Sequence, residues 1–155
     1  MKREHNELSI RPVQVGDCVV WVEMRLALWP DGARDEFDAE ARAYFADENR
    51  FLKRVLVAER GGEVVGMIEL SLRSIADGCV SSPVPYVEGW FVASHTRRQG
   101  VGAALVRAAE AWARAHGYSE IASDVLLENQ VSENAHKSLG FEEVCRSILF
   151  RKALA

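Results

Sequence analysis

Residues 90–102 read WFVASHTRRQGVG, an apolar strand followed by a basic turn and a helix start that contains Gly100 and Gly102. Backbone N–H groups in the first turn of a helix have no intrahelical acceptor, so they attract an anion. Glycines at that point let a phosphate approach the backbone closely. The stretch therefore predicts a strand–turn–helix unit that binds a phosphate or a pyrophosphate.

Two common phosphate-binding motifs do not fit this stretch. The chain contains no GxxxxGK[ST] loop. A dinucleotide-binding fingerprint needs a third glycine where Leu105 stands, and it needs a tight turn where seven residues separate Val92 from Gly100. Taken alone, the glycine pair fits an ordinary helix start equally well, so the rest of the chain must decide.

Hydrophobic periodicity predicts strands and helices on both sides of this unit. The predicted strands are Leu8–Val13, Val55–Glu59, Val64–Arg73, Tyr86–Val92, Ile121–Val125 and Val144–Arg151. The predicted helices run from Asp17 to Pro30, from about Asp35 onward, from Gly100 to His116 and from Val131 to Leu139. A Gly-Gly turn at residues 61 and 62 indicates a hairpin between the second and third strands. The order β-α-α-β-β-β-α-β-α-β predicts a mixed α/β (α+β) fold whose sheet is antiparallel in its N-terminal half.

Length and charge limit the classes of function. A chain of 155 residues is the size of one domain, here residues 1–155. The net charge of −4 argues against a nucleic-acid partner. Residues 31–48 hold seven acids and two arginines, so this stretch either attracts a cationic small molecule or is an ordinary solvated helix face.

The cysteines and the apolar runs exclude further classes. Cys18, Cys79 and Cys145 stand far apart without metal-ligand or disulfide spacing, so we predict no metal site and a reducing, cytoplasmic location. No uncharged apolar run approaches the length of a membrane span, so no membrane partner is expected.

Two separated motifs carry a family resemblance. Residues 97–102, RRQGVG, resemble the pyrophosphate-binding signature of the GNAT N-acetyltransferases, and Glu128-Asn129 stands before a short helix that ends in Leu139-Gly140-Phe141, as in that family. The resemblance implies acetyl-coenzyme A as cosubstrate. It also implies the GNAT fold, a mixed, mostly antiparallel central sheet with helices on both faces.

A narrower likeness adds a substrate. The segments 28–30, 78–84, 87–89, 122–124 and 136–142 look like those of the aminoglycoside 6'-N-acetyltransferases. The resemblance implies these cofactor-binding residues: Phe91, Val92, Arg97, Arg98, Gln99, Gly100, Val101, Gly102, Ala103 and Asn129. It implies that Glu88 and Asp124 face the amines of the antibiotic. Trp29 and Tyr44 are candidates for contact with the sugar, or else ordinary core aromatics.

Acetyl transfer needs a neutral amine near the thioester and a group that takes its proton, for which Glu88 and Asp124 are the candidates. Glu88 lies in an apolar strand, where an unpaired carboxylate is costly unless a cation meets it. The alternatives are an arginine-paired or bulge-exposed Glu88 and a strand-end cap at Asp124. A backbone N–H at a distortion around Trp90–Val92 is the expected donor to the thioester oxygen.

One position departs from the family pattern. Many members have a tyrosine, thought to protonate the leaving thiolate, four residues before the glycine of the Gly-Phe pair, and this chain has His136. Either His136 acts as the acid or the thiolate leaves without one.

The resemblance therefore implies an aminoglycoside 6'-N-acetyltransferase that gives antibiotic resistance. The alternatives are a related transferase for polyamines or peptide amines, and a coenzyme A sensor without turnover. The resemblance implies a homodimer, and a C-terminal strand with Val144, Ile148 and Phe150 could pair across chains.

Overall fold

The computed structural model describes residues 7–154. Four helices and five strands follow one another in the order β-α-α-β-β-β-α-β-α. The strands are β1 (Leu8–Pro12), β2 (Leu52–Arg60), β3 (Glu63–Arg73), β4 (Val84–Val92) and β5 (Ala122–Ser123). The helices are α1 (Cys18–Leu28), α2 (Arg34–Phe45), α3 (Val101–Ala115) and α4 (Gln130–Ser138).

The five strands form one sheet in the order β1-β2-β3-β4-β5. The pairs β1–β2, β2–β3 and β3–β4 are antiparallel, whereas β5 runs parallel to β4. The parallel pair contains only Tyr86 with Ala122 and Val87 with Ser123. This sheet confirms the predicted mixed, mostly antiparallel architecture, with a β5 shorter than expected.

Helices cover both faces of the sheet, as predicted. Successive strand residues point to opposite faces, so one hairpin can supply two cores. On one face α3 packs on the sheet through Val101, Leu105, Val106 and Ala109, against Leu56, Ala58, Ile68 and Leu70. On the other face α1 and α2 pack through Trp21, Val22, Met24 and Ala41, against Val55, Val57 and Met67. The sheet therefore separates an α3 side from an α1–α2 side.

The predicted C-terminal strand, Val144–Arg151, is wrong for this chain alone. Residues 141–154 contain no strand, and Leu149 and Phe150 are each 92% exposed. Alternating side chains decide which face a strand would present, but a strand also needs a neighbour to take up its backbone hydrogen bonds. Within residues 7–154 no strand pairs with this segment.

Among residues 7–154, no helix combines the length and the apolar character that crossing a membrane requires.

Candidate active site

The strand β4 is distorted at Glu88. Glu69 of β3 lies opposite Gly89, but the next residue, Leu70, lies opposite Val87. Glu88 is therefore the extra residue of a β-bulge, a distortion that breaks the hydrogen-bond ladder and redirects a side chain. The expected distortion at Trp90–Val92 is thus corrected to a position two residues earlier, since the sequence of one strand does not reveal its register on the next.

The Glu88 carboxylate is held by two residues of β3. Oε1 accepts hydrogen bonds from Ser71 Oγ at 2.5 Å and from Arg73 Nε at 2.8 Å, and Oε2 accepts one from Arg73 Nη2 at 2.8 Å. The Arg73 guanidinium in turn lies 3.5 Å from the centroid of the Tyr86 ring. The arginine-paired alternative for Glu88 therefore holds in this structure, whereas the bulge-exposed one does not, because the Glu88 side chain stands at a bulge but is only 12% exposed.

A cavity of about 620 Å³ lies on the α1–α2 side of the sheet and reaches Glu88. Its lining residues are Arg25, Trp29, Phe37, Glu40, Ala43, Asn49, Arg50, Phe51, Glu69 and Glu88. The Trp29 ring lies directly on the backbone of β4, since a Cβ on Gly89 would come within 2.8 Å of Trp29 Cη2. Trp29 and Glu88, both candidates for substrate contact from the sequence, thus line the same cavity.

Glu69 is a buried carboxylate in the floor of this cavity, and sequence reasoning missed it. Only 1% of its surface is exposed. Oε1 accepts a hydrogen bond from Trp21 Nε1 at 2.6 Å and lies 3.1 Å from Arg25 Nε, while Arg25 Nη1 is 2.7 Å from a Glu40 carboxylate oxygen. Burial raises the pKa of Glu69, and the Arg25 charge opposes that rise. The available signal was one acid inside an otherwise apolar strand.

Tyr44 does not reach this cavity, which corrects its predicted role at the sugar. Its ring packs edge-on against Trp21 with centroids 5.4 Å apart, and its hydroxyl accepts a hydrogen bond from the Val55 N–H at 3.2 Å. The α2 residues that do line the cavity are Phe37, Glu40 and Ala43, which follow one another at helical spacing. Tyr44 is one position further along the helix and belongs to the core, the alternative reading for this residue.

Asp124 lies just beyond β5, outside the lining of the cavity. Its charge contributes, after burial, to a pKa of about 12 for Tyr86. Glu88 and Asp124 both raise the pKa of Arg73, Glu88 chiefly through its hydrogen bond and Asp124 through its charge. The two predicted carboxylates therefore surround the same Arg73–Tyr86 pair.

Beyond the bulge, β4 has an open edge. Pairing with β5 ends at Val87, and within the described residues no strand lies beside residues 88–92 on that side. Phe91 and Val92 belong to this segment, and the Val92 carbonyl accepts a hydrogen bond from Arg97 Nε at 3.0 Å. Unpaired strand edges bind extended chains through main-chain hydrogen bonds. This edge leads from the bulge towards the start of α3.

The first turn of α3 offers free backbone donors. The Ala104 N–H makes a bond to the Gly100 carbonyl, so the N–H groups of Val101, Gly102 and Ala103 precede the helical ladder. Gly100 has a φ of 82°, and an added Cβ there would meet nothing within 4 Å in the described part of the chain. Gly102 instead packs on the Trp90 ring, which a Cβ would approach to 3.1 Å.

Basic residues surround this helix start. Arg97 and Arg98 are exposed beside it, and Arg98 adopts a left-handed backbone with a φ of 61°. Gln99 Oε1 accepts a hydrogen bond from Arg60 Nη1 at 2.6 Å, and Gln99 Nε2 donates one to the His95 carbonyl at 3.1 Å. Arg60 ends β2, far from this loop in sequence, so the sequence motif could not reveal it. Arg60, Arg97 and Arg98 therefore add positive charge to the surroundings of this helix start.

At the start of α4, Asn129 acts as the helix cap. Its side-chain oxygen accepts a hydrogen bond from the Ser132 N–H at 3.1 Å. Its amide group is left for another acceptor, which is compatible with the predicted contact to the cosubstrate.

Residues 20–141 match the model of the acetyltransferase (GNAT) family. The chain belongs to this family. This acetyltransferase is 44% identical over 146 residues to aminoglycoside N(6')-acetyltransferase type 1 of Klebsiella aerogenes, with 94% of this chain and 96% of that protein covered. It is 38% identical over 147 residues to the protein of the same name from Stenotrophomonas maltophilia, with 94% of each chain covered.

Solved structures confirm the predicted GNAT fold. AAC(6')-Iy in complex with the bisubstrate analogue CoA-S-monomethyl-acetylneamine has a TM-score of 0.87 to this acetyltransferase, at 33% identity over 96% of this chain and 99% of that chain. The apo form of AAC(6')-IG from Acinetobacter haemolyticus has a TM-score of 0.85, at 32% identity over 95% of this chain and 99% of that chain. The family predicted from the sequence is confirmed.

His136 of this acetyltransferase extends from α4 to the end of β5. Its Nε2 is 2.8 Å from Ser123 Oγ, and its Nδ1 is 2.7 Å from the Ser132 carbonyl oxygen. The rings of Trp90 and Phe141 each lie 5.1 Å away, edge-on to the imidazole. The side chain is half-buried and fixed on several sides.

Proposed function

We propose that this protein transfers the acetyl group of acetyl-coenzyme A to the 6' amine of an aminoglycoside and thereby gives antibiotic resistance. The observation that carries the proposal is the meeting of two features at Glu88. A cavity lined by acids and aromatic rings reaches the bulge from the α1–α2 side, and the open edge of β4 reaches it from α3. The names of the relatives support the same substrates.

Acetyl-coenzyme A fits the open edge and the start of α3. Its pyrophosphate would accept hydrogen bonds from the N–H groups of Val101, Gly102 and Ala103, close to Arg60, Arg97 and Arg98. Its extended pantetheine would follow residues 88–92 as an added strand does. The Asn129 amide would donate to the same chain. When bound, this cosubstrate supplies the thioester carbonyl that the amine attacks.

The cavity fits a cationic sugar. Glu40, Glu69 and Glu88 line it, together with Arg25 and Arg50, and Trp29 and Phe37 provide flat apolar walls. An aminoglycoside combines ring faces with ammonium groups, which match aromatic walls and carboxylates respectively. A 6' amine held at Glu88 would lie beside the open edge of β4.

Glu88 has one acceptor site left for that amine. An ionised carboxylate offers about four lone-pair sites, and Ser71 with Arg73 occupies three of them. The remaining lone-pair site accepts a hydrogen bond from the N–H of the attacking amine and so orients its nitrogen. Asp124 attracts the other ammonium groups from its position beyond β5. A backbone N–H freed by the bulge stabilises the developing charge on the thioester oxygen.

The working unit is proposed to be a homodimer of 155-residue acetyltransferase domains in the cytoplasm. Ile148, Leu149 and Phe150 are largely exposed in the isolated chain, and β5 is the last strand of the sheet. The C-terminal segment of one copy can therefore add to β5 of another. Three free cysteines suit a reducing compartment.

Product analysis tests the proposed transfer. The protein is incubated with acetyl-coenzyme A and an aminoglycoside that carries a 6' amine, and the product is examined by mass spectrometry and NMR. We expect one added acetyl group, on N6'. Acetylation only of polyamines or peptide amines in a parallel panel would assign the alternative transferase, and cosubstrate binding without any product would assign the sensor.

A further inference from the structure

We propose that Arg73 is a positioning residue of this transfer, which holds the Glu88 carboxylate so that its one free lone pair meets the 6' amine. The inference rests on the proposed function. It assigns a role to a residue that neither the sequence motifs nor the family resemblance singles out.

Arg73, Glu88 and the cavity lie on one side of the sheet. Glu69, Ser71 and Arg73 are alternate residues of β3, so their side chains point to the same face. Glu69 lines the cavity on the α1–α2 side, as Glu88 does. Ser71 and Arg73 both donate hydrogen bonds to the Glu88 carboxylate. The guanidinium therefore meets Glu88 on the face from which a cationic substrate would enter.

A bidentate contact fixes the orientation of the Glu88 carboxylate. Arg73 Nε donates to Oε1 and Arg73 Nη2 donates to Oε2, each at 2.8 Å. A planar guanidinium that binds both oxygens sets the plane of the carboxylate, which the point charge of an ammonium group does not do. Ser71 Oγ also donates to Oε1, so both lone pairs of that oxygen are used. The free lone pair of Glu88 is therefore on Oε2.

The Tyr86 ring supports the guanidinium from its other side. The guanidinium carbon of Arg73 lies 3.5 Å from the ring centroid, and only 8% of the Tyr86 surface is exposed. A cation on the face of an aromatic ring is attracted by the negative charge of that face. Tyr86 lies opposite Ser71 in the β3–β4 ladder, so it shares the face that carries Arg73. A buried ring thus holds Arg73, and Arg73 holds Glu88.

Glu88 depends on this partner for its position. A carboxylate that is largely shielded from water is unstable without a counter-charge. The charge of Asp124 also acts on Arg73, so without the guanidinium the two carboxylates would repel each other. Loss of Arg73 would therefore let Glu88 turn towards solvent. The lone pair on Oε2 would then no longer be directed at the amine.

Arg73 acts through Glu88 and does not bind the amine itself. Its guanidinium carries the same charge as the ammonium groups of an aminoglycoside, so its removal does not weaken the attraction of the site for a cation. Loss of a positioning residue affects the rate of the bound complex. We therefore expect the effect of Arg73 in kcat, with no rise in KM.

Steady-state kinetics provide the first test. Arg73→Ala should lower kcat by about tenfold or more, as expected when a reacting pair loses its orientation. The aminoglycoside KM and the dissociation constant of acetyl-coenzyme A should not rise. Arg114→Ala, which removes an arginine paired with Glu110 on α3, is the matched control and should behave like the parent. A kcat within about twofold of the parent in Arg73→Ala, or a rise in KM alone, would overturn the proposal.

Rescue by free guanidinium distinguishes positioning from charge. The Arg73 side chain is 41% exposed, so the space that it leaves in Arg73→Ala is open to solvent. Guanidinium chloride at millimolar concentration should restore part of the lost kcat. Tetramethylammonium chloride at the same concentration, which carries the charge without an N–H donor, should not. Equal recovery with both salts, or with neither, would overturn the proposal.

Arg73→Lys keeps the charge and loses the bidentate contact, so it also tests the proposal if Arg73→Ala does not fold. We expect its kcat to lie below that of the parent. A parent-like kcat in Arg73→Lys would overturn the proposal.

A double variant shows whether Arg73 acts through Glu88. In Glu88→Ala there is no carboxylate to position, so the further change Arg73→Ala should alter kcat by no more than about twofold. Losses that multiply in the double variant would mean that the two residues act independently, and they would overturn the proposal.

The two failures are distinguishable. If the parent acetylates the aminoglycoside and Arg73→Ala keeps the parent kcat, the role of Arg73 is wrong and the proposed function stands. If the parent releases no coenzyme A with any aminoglycoside, both are wrong.

Discussion

Glu69 lies directly opposite Gly89 in the β3–β4 ladder, and its Oε2 would be 3.3 Å from a Cβ on that glycine. A buried carboxylate therefore faces a residue without a side chain, one position after the bulged Glu88. This pairing leaves room for the Trp29 ring on the strand backbone. The floor of the cavity is thus formed by Gly89 of β4, which has no side chain, and by the Glu69 carboxylate of β3.

Gly89→Ala should narrow the cavity at its floor. The new methyl group would come within 2.8 Å of Trp29 and 3.3 Å of Glu69, so the ring must move into the cavity. We expect KM for the aminoglycoside to rise at least about tenfold, with a stability loss of about 1–3 kcal/mol from overpacking. Steady-state kinetics and thermal melting measure both effects. Gly16→Ala, where an added Cβ meets nothing within 4 Å among the described residues, is the control. An unchanged KM in Gly89→Ala would mean that substrate does not enter this cavity.

Glu88→Gln should weaken the reaction with cationic substrates. The amide keeps the size of the side chain but removes the charge that pairs with Arg73 and is proposed to face the amine. We expect kcat/KM to fall by about 10–100-fold, as for loss of a charged hydrogen bond of about 1.5–3 kcal/mol. Asp124→Asn should give a smaller fall, because Asp124 is exposed. The dissociation constant of acetyl-coenzyme A, measured by calorimetry, should not change. Glu110→Gln on α3 serves as control, and parent-like kinetics in both site variants would refute the assignment.

Glu69 should make stability depend on pH. Its folded pKa lies above the ordinary value of 4.5, chiefly because the carboxylate is buried. Between these two values the folded state holds more protons than the unfolded state, so stability falls as pH rises through that window. The glutamine side chain of Glu69→Gln does not ionise, so the stability of this variant does not fall with pH for this reason. The melting temperature of the variant minus that of the parent should therefore increase from about pH 4 upwards. Parallel melting curves across this range would show that burial does not perturb Glu69.

Arg60→Ala should weaken binding of acetyl-coenzyme A. The guanidinium holds Gln99 beside the start of α3 and adds positive charge where the pyrophosphate is proposed to bind. We expect the dissociation constant to rise about 3–10-fold, with a weaker dependence on salt, as for a partly exposed charge. Calorimetry at two ionic strengths measures both quantities. Arg107→Ala, an exposed arginine further along α3, should bind like the parent. An equal loss in both variants would point to net charge alone.

The C-terminal segment should hold two copies together. Ile148 and Phe150 are 75% and 92% exposed in the isolated chain. Replacing both with Asp should convert a dimer into a monomer, because charged side chains oppose burial in an apolar contact. Light scattering after size-exclusion chromatography gives the mass. Val15→Asp, also at an exposed apolar residue, should leave the mass unchanged. A monomeric parent would contradict the dimer.

Local patterns were sufficient for the frame of the fold. The run Val101, Leu105, Ala108 and Trp112 predicted α3, and the Gly61-Gly62 turn predicted the β2–β3 hairpin, because both signals lie within a few neighbouring residues. The basic turn before Gly100 pointed to the family for the same reason. Features that one segment carries by itself were predicted.

Features that depend on the contact of two distant segments could not be predicted from the sequence. The bulge at Glu88 arises from the register between β3 and β4, and Arg60 reaches Gln99 from the end of another strand. Tyr44 and Ala43 are adjacent in α2, and only the packing of that helix decides which one lines the cavity. The C-terminal residues alternate like a strand, but the isolated chain gives them no neighbour.

The most direct test of the central claim is release of the coenzyme A thiol from acetyl-coenzyme A with two matched aminoglycosides, one with a 6' amine and one with a 6' hydroxyl. The proposed function places the 6' amine at Glu88 beside the open edge of β4, so we predict release with the amine compound alone. Release with both compounds, or with neither, would contradict the proposed transfer to the 6' position.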